Sequence, residues 1–321
     1  MVQTSFPLAV SERVRKQFRC PNCTAGLRDA VDGLQCVNEG CGAEYPVVDG
    51  VPVLVKRGSL FDRDVRSIQR VHFRKRGKLG SWVSAVLPSL SVNVSAGANL
   101  RRFAEAVRAG STAGLILVIG GAQRGKGVDA LEAPDLECID TDVELTPATK
   151  MILDAHVLPF ADGTFDGVVA QAVLEHVIDP FVCVEEIHRV LKPGGIVYAE
   201  IPFMQQVHGR GYDFHRFTRL GVMHLFKKFQ AEEAGGCCGP GMALAWSIQY
   251  LLLSFTESRV IRSALKGACR LTLFWLKYLD YYLLRKNASL DAASCYYYLG
   301  RKSGDILDDR TLIASYCGAQ R

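Results

Sequence analysis

The 321-residue sequence lacks any continuous apolar segment long enough to span a bilayer, which takes roughly 18 residues. Its most apolar segment, 241–256, is uncharged but too short, and Ser247 and Gln249 interrupt it. The N-terminal segment lacks the unbroken apolar core of a secretory signal. Internal repeats and low-complexity tracts are missing as well. We therefore expect a folded cytoplasmic protein, with peripheral membrane contact as the remaining alternative to a fully soluble state.

Strong charge of one sign is also missing. The net charge of +5 comes from 38 basic and 33 acidic residues, so an anionic partner is permitted but not required. Hydrophobic residues make up 49%, enough for a substantial core. Composition predicts a cysteine-rich module at 1–55, a basic and helical linker at 56–97, and a larger domain at 98–321 with a helical insertion at 241–286. The basic residues of the linker are Lys56, Arg57, Arg63, Arg66, Arg70, Arg74, Lys75, Arg76 and Lys78.

The larger domain alternates short apolar runs with helical patterns, which is typical of βαβ units. The predicted strands are 115–119, 136–139, 151–153, 165–170 and 196–201, and the aromatic run 295–299 predicts a last strand. A helix before 196 is well marked, because Asp179 can cap it, Pro180 suits its first turn and Gly194-Gly195 follows its end. The sequence therefore predicts an α/β fold with a Rossmann-like, doubly wound and mostly parallel sheet.

Three features follow predicted strands and would meet at the carboxyl edge of that sheet, where such folds bind ligands. The first strand ends in the glycine-rich turn 120–125, the second in Asp140 and the third in Asp154-Ala155-His156. Glycines let a ligand approach the backbone, and an acid can accept hydrogen bonds from a ribose diol. Each feature alone has an ordinary explanation as a turn or a helix cap. Together, in this order, they predict a nucleotide-type site.

The stretch from Leu115 to Phe217 resembles the class I S-adenosylmethionine-dependent methyltransferases, in the branch that includes quinone and small-molecule methylases. Its most specific parts are Asp154-Ala-His-Val-Leu-Pro-Phe-Ala-Asp-Gly-Thr-Phe-Asp166, Ala172-Val-Leu-Glu-His176, Arg189-Val-Leu-Lys-Pro-Gly-Gly195 and Pro202. The resemblance implies S-adenosylmethionine as cofactor and an antiparallel last strand. The cofactor-binding residues that it implies are Gly120, Gly121, Ala122, Asp140, Asp154, Ala155, His156 and Gln171.

The glycine turn departs from the pattern of this family. Val118 stands where an acid usually precedes the glycines, and Ala122 stands where a further glycine is usual. Alanine is small enough for close approach, but the ammonium group of the cofactor loses one expected partner. Glu175 could replace that partner or be an ordinary solvated helix residue. A hydride-transferring dehydrogenase is the competing use of the fold, and the block from Asp154 to Phe160 argues against it.

Four of the eleven cysteines lie in the first 41 residues, as Cys20-Pro-Asn-Cys23 followed by Cys36 and Cys41. Two close pairs of thiolates suit tetrahedral Zn²⁺, which can supply much of the folding energy of a small module. We predict a structural zinc ribbon at 1–55, with a small β-rich fold. The following segment, 45–54, makes it resemble the zinc-ribbon proteins that activate RNA and protein methyltransferases.

The loop after the fifth strand contains the unusual cluster His208-Gly-Arg-Gly-Tyr-Asp213-Phe-His215-Arg216-Phe-Thr218. Loops at this edge would lie over the cofactor, and oxygen or nitrogen acceptors often need a base that titrates near neutral pH. We predict His208, Asp213 and His215 as catalytic candidates. The alternative is structural, with Asp213 paired to Arg216 and Thr218 capping the next helix.

The sequence leads to three functional hypotheses. The first is a methyltransferase for a small-molecule, glycan or lipid-linked acceptor, with transfer to oxygen. The second, favoured by the basic linker, is an RNA methyltransferase like the ribosomal guanine enzymes that also begin with a zinc ribbon. The third is a non-catalytic zinc-ribbon scaffold. The insertion 241–286 could cover the substrate, pack on the sheet, face a second copy in a homodimer or touch a membrane surface.

Overall fold

The structure is a computed structural model that describes residues 8–64, 67–71, 87–123 and 125–320. Part of the predicted basic linker, including Arg66, Arg74, Lys75, Arg76 and Lys78, lies outside these residues. Its described parts are 56–64, 67–71 and 87–97. They contain turns, bends and irregular chain, and the only α-helix in these parts begins at Ala96.

The strands form one sheet of eleven. Their bounds are β1 Leu27–Ala30, β2 Gly33–Cys36, β3 Glu44–Val48, β4 Val51–Leu54, β5 Gly114–Ile119, β6 Leu136–Asp142, β7 Met151–Leu153, β8 Phe165–Gln171, β9 Leu191–Pro202, β10 Phe229–Cys238 and β11 Cys295–Lys302. The order across the sheet is β1-β2-β3-β4-β7-β6-β5-β8-β9-β11-β10. From β4 to β9 all neighbours are parallel, whereas β11 runs antiparallel between β9 and β10. The prediction of a mostly parallel α/β sheet is confirmed.

The helices precede, separate and follow these strands along the chain. Their bounds are α1 Glu12–Arg15, α2 Ala96–Gly110, α3 Pro180–Val190, α4 Arg219–Leu225, α5 Pro240–Leu253, α6 Arg259–Thr272, α7 Asp280–Leu283 and α8 Asp309–Ala314. Short 3₁₀ turns occupy 128–131, 210–212, 274–279 and 287–292. No helix of the part that the structure describes is both long and apolar enough to cross a membrane.

Local sequence explains the central elements. All six residues of β5 are buried, as expected for a strand covered on both faces. Asp179 caps α3 by accepting hydrogen bonds from the N–H groups of Phe181 and Val182. The apolar face of α3 packs on the sheet, with Ile187 and Val190 fully buried.

The cysteine-rich module is built into the main sheet. Its last strand, β4, pairs in parallel with β7 through Val53–Ile152 and Leu54–Leu153. A second connection is the antiparallel bridge between Phe18 and Phe160, whose ring centroids are 6.0 Å apart. The cysteine-rich module and the main sheet contribute side chains to one buried core, so the module extends the edge of the sheet and does not pack as a separate unit.

The predicted insertion lies between β10 and β11. It consists of α5, α6, the 3₁₀ turn 274–279 and α7. The buried carboxylate of Asp280 accepts hydrogen bonds from the backbone N–H groups of Gly239, Gly241 and Met242 at 3.2, 2.7 and 3.0 Å. This carboxylate satisfies the first N–H groups of α5 from a distant part of the chain, and so it closes the insertion on itself.

Candidate functional site

A cavity of about 330 Å³ opens at the carboxyl ends of β5, β6, β7 and β8. Its floor and walls come from the strand ends, and its outer rim comes from the linker and the loop after β9. The lining residues are Phe61, Arg63, Ile119, Gly120, Asp142, Val143, Glu144, Leu153, Asp154, Ala155, Ala172, Val173, His176, Val177, Gly209 and Tyr212. The volume lies within the range of small-molecule sites, which starts at about 300 Å³.

The glycine turn reaches this cavity at Gly120, whose φ of +73° favours glycine. A Cβ there would lie 2.3 Å from Val173 Cγ2, so only glycine fits without displacing Val173. Gly121 packs instead against Asp140, because a Cβ on Gly121 would lie 3.0 Å from the Cβ of Asp140. The predicted residues Gly121 and Ala122 are therefore absent from the cavity lining.

Of the acids in β6, Asp142 lines the cavity, two residues beyond the predicted Asp140. β6 continues to Asp142 because its end pairs with β7, through Asp142–Ile152. The two oxygens of Asp142 accept hydrogen bonds from Glu144 N at 3.0 Å and Ala122 N at 3.2 Å. Asp140 is buried beneath the glycine turn and borders the narrow recess that also contains Gln171, rather than the main cavity.

Asp154 and Ala155 line the cavity as predicted, and His156 faces an adjoining recess. His156 Nδ1 lies 2.6 Å from Asp154 Oδ1, and His156 Nε2 accepts a hydrogen bond from Asp179 N at 3.1 Å. The hydrogen bond to Asp154 raises the pKa of His156 above its ordinary value. His156 therefore fixes the orientation of the Asp154 carboxylate.

Gln171 lies in a separate narrow recess beside the glycine turn. Its Nε2 donates to Glu200 Oε2 at 2.9 Å, while its buried Oε1 has no hydrogen-bond partner among the described residues. Glu200 also accepts hydrogen bonds from Asn93 Nδ2 and Tyr198 OH, and burial raises its pKa. The sequence analysis missed Glu200 and Asn93. The available signal was one acid inside the otherwise apolar run 196–201.

A second group of titratable residues borders the cavity. The carboxylate of Glu175 is fully buried, and its oxygens have no hydrogen-bond partner within the described chain. Its Oε1 lies 3.5 Å from His208 Nε2 and 3.8 Å from His176 Nε2. Glu175 raises the pKa of His208. Of the two alternatives for Glu175, the solvated surface residue is therefore wrong, and Glu175 is a buried counter-charge for His208.

Asp213 has a structural role. Its carboxylate binds the Arg216 guanidinium and accepts hydrogen bonds from His208 N at 2.6 Å and Gly209 N at 3.4 Å. Arg216 holds the pKa of Asp213 well below its usual range. A carboxylate of such low basicity is a poor proton acceptor near neutral pH, so the structure argues against the predicted catalytic role.

The other members of this loop are less constrained. His215 Nε2 lies 3.1 Å from the Ile178 carbonyl oxygen, which leaves Nδ1 for other contacts. Thr218 caps α4 by accepting a hydrogen bond from Gly221 N at 3.1 Å. The structural alternative for Thr218 is confirmed.

Replacing Glu175 with glutamine tests the ion pair with His208. A raised folded-state pKa means that the pair stabilises the fold below the ordinary histidine pKa of about 6.5, and that this stabilisation disappears as pH rises through the folded-state value. Because the pair is partly exposed, we expect Glu175→Gln to cost on the order of 1 kcal/mol at low pH and less above. Urea denaturation at a series of pH values measures the change in the free energy of unfolding, and NMR titration measures the pKa of His208. Glu185→Gln, an exposed acid on α3, should show neither change. An unchanged His208 pKa in Glu175→Gln would refute the pairing.

The four N-terminal cysteines converge in the cysteine-rich module. All four Sγ atoms lie within 4.8 Å of one another, with Cys20–Cys41 at 3.8 Å and Cys23–Cys36 at 3.4 Å. A zinc tetrahedron with Zn–S bonds of about 2.3 Å has S–S edges of about 3.8 Å. Tyr45 OH lies 3.0 Å from Cys20 Sγ, as a partner behind a metal ligand would. The cysteine geometry fits a tetrahedral metal ion.

A second cysteine cluster lies in the core. The Sγ atoms of Cys237, Cys238 and Cys295 are buried and within 4.8 Å of one another. Cys238 and Cys295 are paired neighbours in β10 and β11, and an irregularity between Gly236 and Cys238 brings Cys237 close as well.

Comparison with known proteins gives matches to part of the chain. A family profile described as "Methyltransferase domain" matches residues 127–199. The ubiquinone/menaquinone biosynthesis C-methyltransferase UbiE of Desulfotalea psychrophila is 36% identical over 86 residues, covering 26% of this chain and 34% of that protein. The demethylmenaquinone methyltransferase of Lysinibacillus sphaericus is 32% identical over 123 residues, covering 38% and 52%. The chain thus spans about a third of the length of the first curated relatives.

Solved structures resemble the chain at a lower sequence identity than these relatives. One of them is the complex between the Haloferax volcanii Trm112 methyltransferase activator and the putative methyltransferase. It matches 71% of this chain and 99% of that chain, at 15% identity and a TM-score of 0.38.

Proposed function

We propose that this chain is an S-adenosylmethionine-dependent methyltransferase whose cofactor occupies the cavity at the carboxyl edge of the sheet. The observation that carries the proposal is the convergence there of the Gly120 turn, Asp142 and Asp154-Ala155. Asp142 would bind the ribose hydroxyls, Asp154 and Ala155 the adenine, and the Gly120 turn the methionine portion. The match to a methyltransferase domain over 127–199 and the methyltransferase relatives support this assignment.

The recess around Gln171 offers a partner for the ammonium group of the cofactor. The buried Oε1 of Gln171 needs a hydrogen-bond donor, and Glu200 behind it supplies negative charge. A buried acceptor without a partner is costly unless a ligand satisfies it. We therefore assign to Gln171 and Glu200 the role that an acid at position 118 would otherwise have.

The bound cofactor would supply an electrophilic methyl group, and the protein would then orient the acceptor and remove its proton. His208 is suited to accept the proton of the acceptor, because Glu175 stabilises the imidazolium form that results. His215 remains a second candidate in the same loop. The acceptor proposed is a small-molecule, glycan or lipid-linked hydroxyl, reached beside His176 and Gly209 at the rim of the cavity.

The RNA methyltransferase hypothesis receives less support. Of the basic linker residues that the structure describes, Arg63 pairs with Glu144 at 3.0 Å and Arg70 with Asp49 at 3.2 Å. Phosphate recognition needs unpaired positive charge, which these pairs reduce. Lys56 and Arg57 form no ion pair within the described residues, while Arg66 and the stretch 72–86 lie outside them.

We also propose that the cysteine-rich module is a zinc ribbon. Cys20, Cys23, Cys36 and Cys41 would hold one structural Zn²⁺, on the strength of their Sγ separations. The metal would stabilise β1 to β4, and through β4 the edge of the main sheet.

Transfer of a radiolabelled methyl group tests the proposed function. We expect the full chain to methylate a lipid-extractable or glycan acceptor supplied in a panel of quinols, polyprenyl-linked glycans and transfer RNA. Label in the RNA fraction alone would favour the alternative acceptor. Absence of S-adenosylmethionine binding by calorimetry would refute the enzyme and leave the scaffold hypothesis.

A further inference from the structure

Large apolar side chains are concentrated on the outside of the insertion 241–286. Twelve of the 25 that the described part of the chain leaves exposed lie between Leu244 and Tyr282. Phe255 and Val260 are 81% and 79% exposed. A monomeric soluble protein rarely leaves so many exposed apolar residues close together unless something covers them.

Helix α6 shows how this surface is arranged. At about 100° per residue, Val260, Ile261, Ala264, Ala268 and Leu271 fall on one arc of roughly 100°. The buried residue of α6 is Cys269, on another side of the helix. The helix therefore contacts the protein through a narrow line and turns its apolar arc outward.

Positive charge accompanies the apolar surface. Residues 241–286 include seven basic and two acidic residues, a net charge of +5. Arg270 and Lys277 donate to the carbonyl oxygens of Pro88 and Ser89 at 2.8 and 2.6 Å, which anchors the insertion to the body. Other basic residues of the segment are exposed, namely Arg259, Lys266, Arg285 and Lys286. The acid Asp280 is buried, so it does not offset their charge at the surface.

Aromatic residues extend the same surface beyond α6. Trp275, Tyr278, Tyr281 and Tyr282 are about half exposed or more. The ammonium group of Lys286 lies 5.2 Å from the centre of the Tyr282 ring. Amphipathic rings beside basic side chains are typical of segments at the level of lipid headgroups.

We infer that the insertion docks on the surface of an anionic phospholipid bilayer, with the apolar arc of α6 and the aromatic residues of 275–282 among the headgroups. An amphipathic helix with an apolar arc on one side and basic residues on its polar side has the composition of an interfacial helix. Anionic lipid complements the exposed basic residues of the insertion, whereas a second copy of this chain would bring the same positive charge to the interface.

The docked surface would lie beside the cavity. Gln206 Nε2 and Ser247 Oγ are 3.1 Å apart, and Tyr250 OH lies 3.2 Å from the Val207 carbonyl oxygen, so α5 supports the loop that borders the cavity. The idea that docking brings a lipid-linked acceptor to the cavity rests on the proposed function. Docking itself does not.

Vesicle co-sedimentation of the full chain tests the inference. We expect binding to vesicles of phosphatidylcholine and phosphatidylglycerol and weak binding to vesicles of phosphatidylcholine alone. Rising salt should weaken binding to the anionic vesicles. Ile261→Asp combined with Leu271→Asp should lower the partition coefficient by about 100-fold, roughly tenfold for each apolar side chain removed. Ile306→Asp with Ile313→Asp is the matched control, because both isoleucines are exposed elsewhere, at 58% and 68%.

Two outcomes would overturn the inference. One is equal sedimentation of the two double variants. The other is a chain that does not bind vesicles but forms a dimer in analytical ultracentrifugation, with the dimer dissociated by Ile261→Asp/Leu271→Asp. A second copy of the chain would then be what covers the apolar surface. Calorimetric binding of S-adenosylmethionine by each variant keeps this result separate from the proposed function.

Discussion

Replacing Asp142 with asparagine is expected to weaken S-adenosylmethionine binding by about 100-fold. Asp142 is the acid of β6 that lines the cavity, and hydrogen bonds from ribose hydroxyls to a carboxylate contribute about 1.5–3 kcal/mol each. Asparagine keeps one acceptor oxygen. Directed to Ala122 N, it preserves the contact with the glycine turn and gives up the bond from Glu144 N. Isothermal titration calorimetry measures the loss, and the melting temperature checks the fold.

The matched variant is Asp140→Asn, on the same face of the same strand. Asp140 lies outside the lining of the main cavity but borders the narrow recess with Gly121 and Gln171, so its replacement should weaken binding less than Asp142→Asn does. The reverse ranking, with Asp140→Asn the weaker binder, would return the ribose role to the residue that the sequence suggested.

Replacing Cys36 with serine is expected to remove the zinc and unfold the cysteine-rich module. Structural zinc contributes about 10–16 kcal/mol in small peptides, comparable to the whole stability of a domain. Mass spectrometry of the native chain should give one zinc per chain for the wild type and almost none for the variant. Hydrogen exchange should show β1 to β4 losing protection first, and β7 next, because β4 covers its edge.

Cys317→Ser is the control for this prediction, because Cys317 is a half-buried cysteine outside both clusters. It should keep its zinc and its melting temperature. Retention of one zinc per chain by Cys36→Ser, with unchanged exchange in β1 to β4, would disprove the four-cysteine site.

The central fold could be predicted because its signals are local. Buried parallel strands such as β5 are continuous apolar runs, and Asp179-Pro180 marks the start of α3 by chemistry within three residues. β10 was not predicted, because it is an edge strand. Its sequence Gln-Ala-Glu-Glu-Ala-Gly-Gly shows neither a continuous apolar run nor a regular alternation of apolar and polar residues. Its pairing with β11 is a long-range property that no local pattern reveals.

Part of the family resemblance is structural scaffolding. Arg189 donates to the carbonyl oxygens of Leu158 and Phe160 and pairs with Asp162 and Glu186. This guanidinium therefore holds the Leu-Pro-Phe loop against α3. A match over these residues reports the shape of the loop beneath the site, and it says little about the acceptor.

The errors at the site have one physical cause. The end of β6 depends on its pairing with β7, and the role of Glu175 depends on His208, which lies more than 30 residues further along the chain. Single-sequence patterns identify residue types suited to chemistry. They do not show which of two nearby acids turns toward the ligand.

The parallel pairing of β4 with β7 also couples two distant binding events. β7 leads directly into Asp154 and Ala155, which line the cavity. If zinc rigidifies this edge and so increases cofactor affinity by some factor, the bound cofactor must increase zinc affinity by the same factor, because linkage is reciprocal. The chain would then hold zinc more tightly when the cofactor is bound. Without zinc it would bind the cofactor less tightly, and without the cofactor it would bind zinc less tightly.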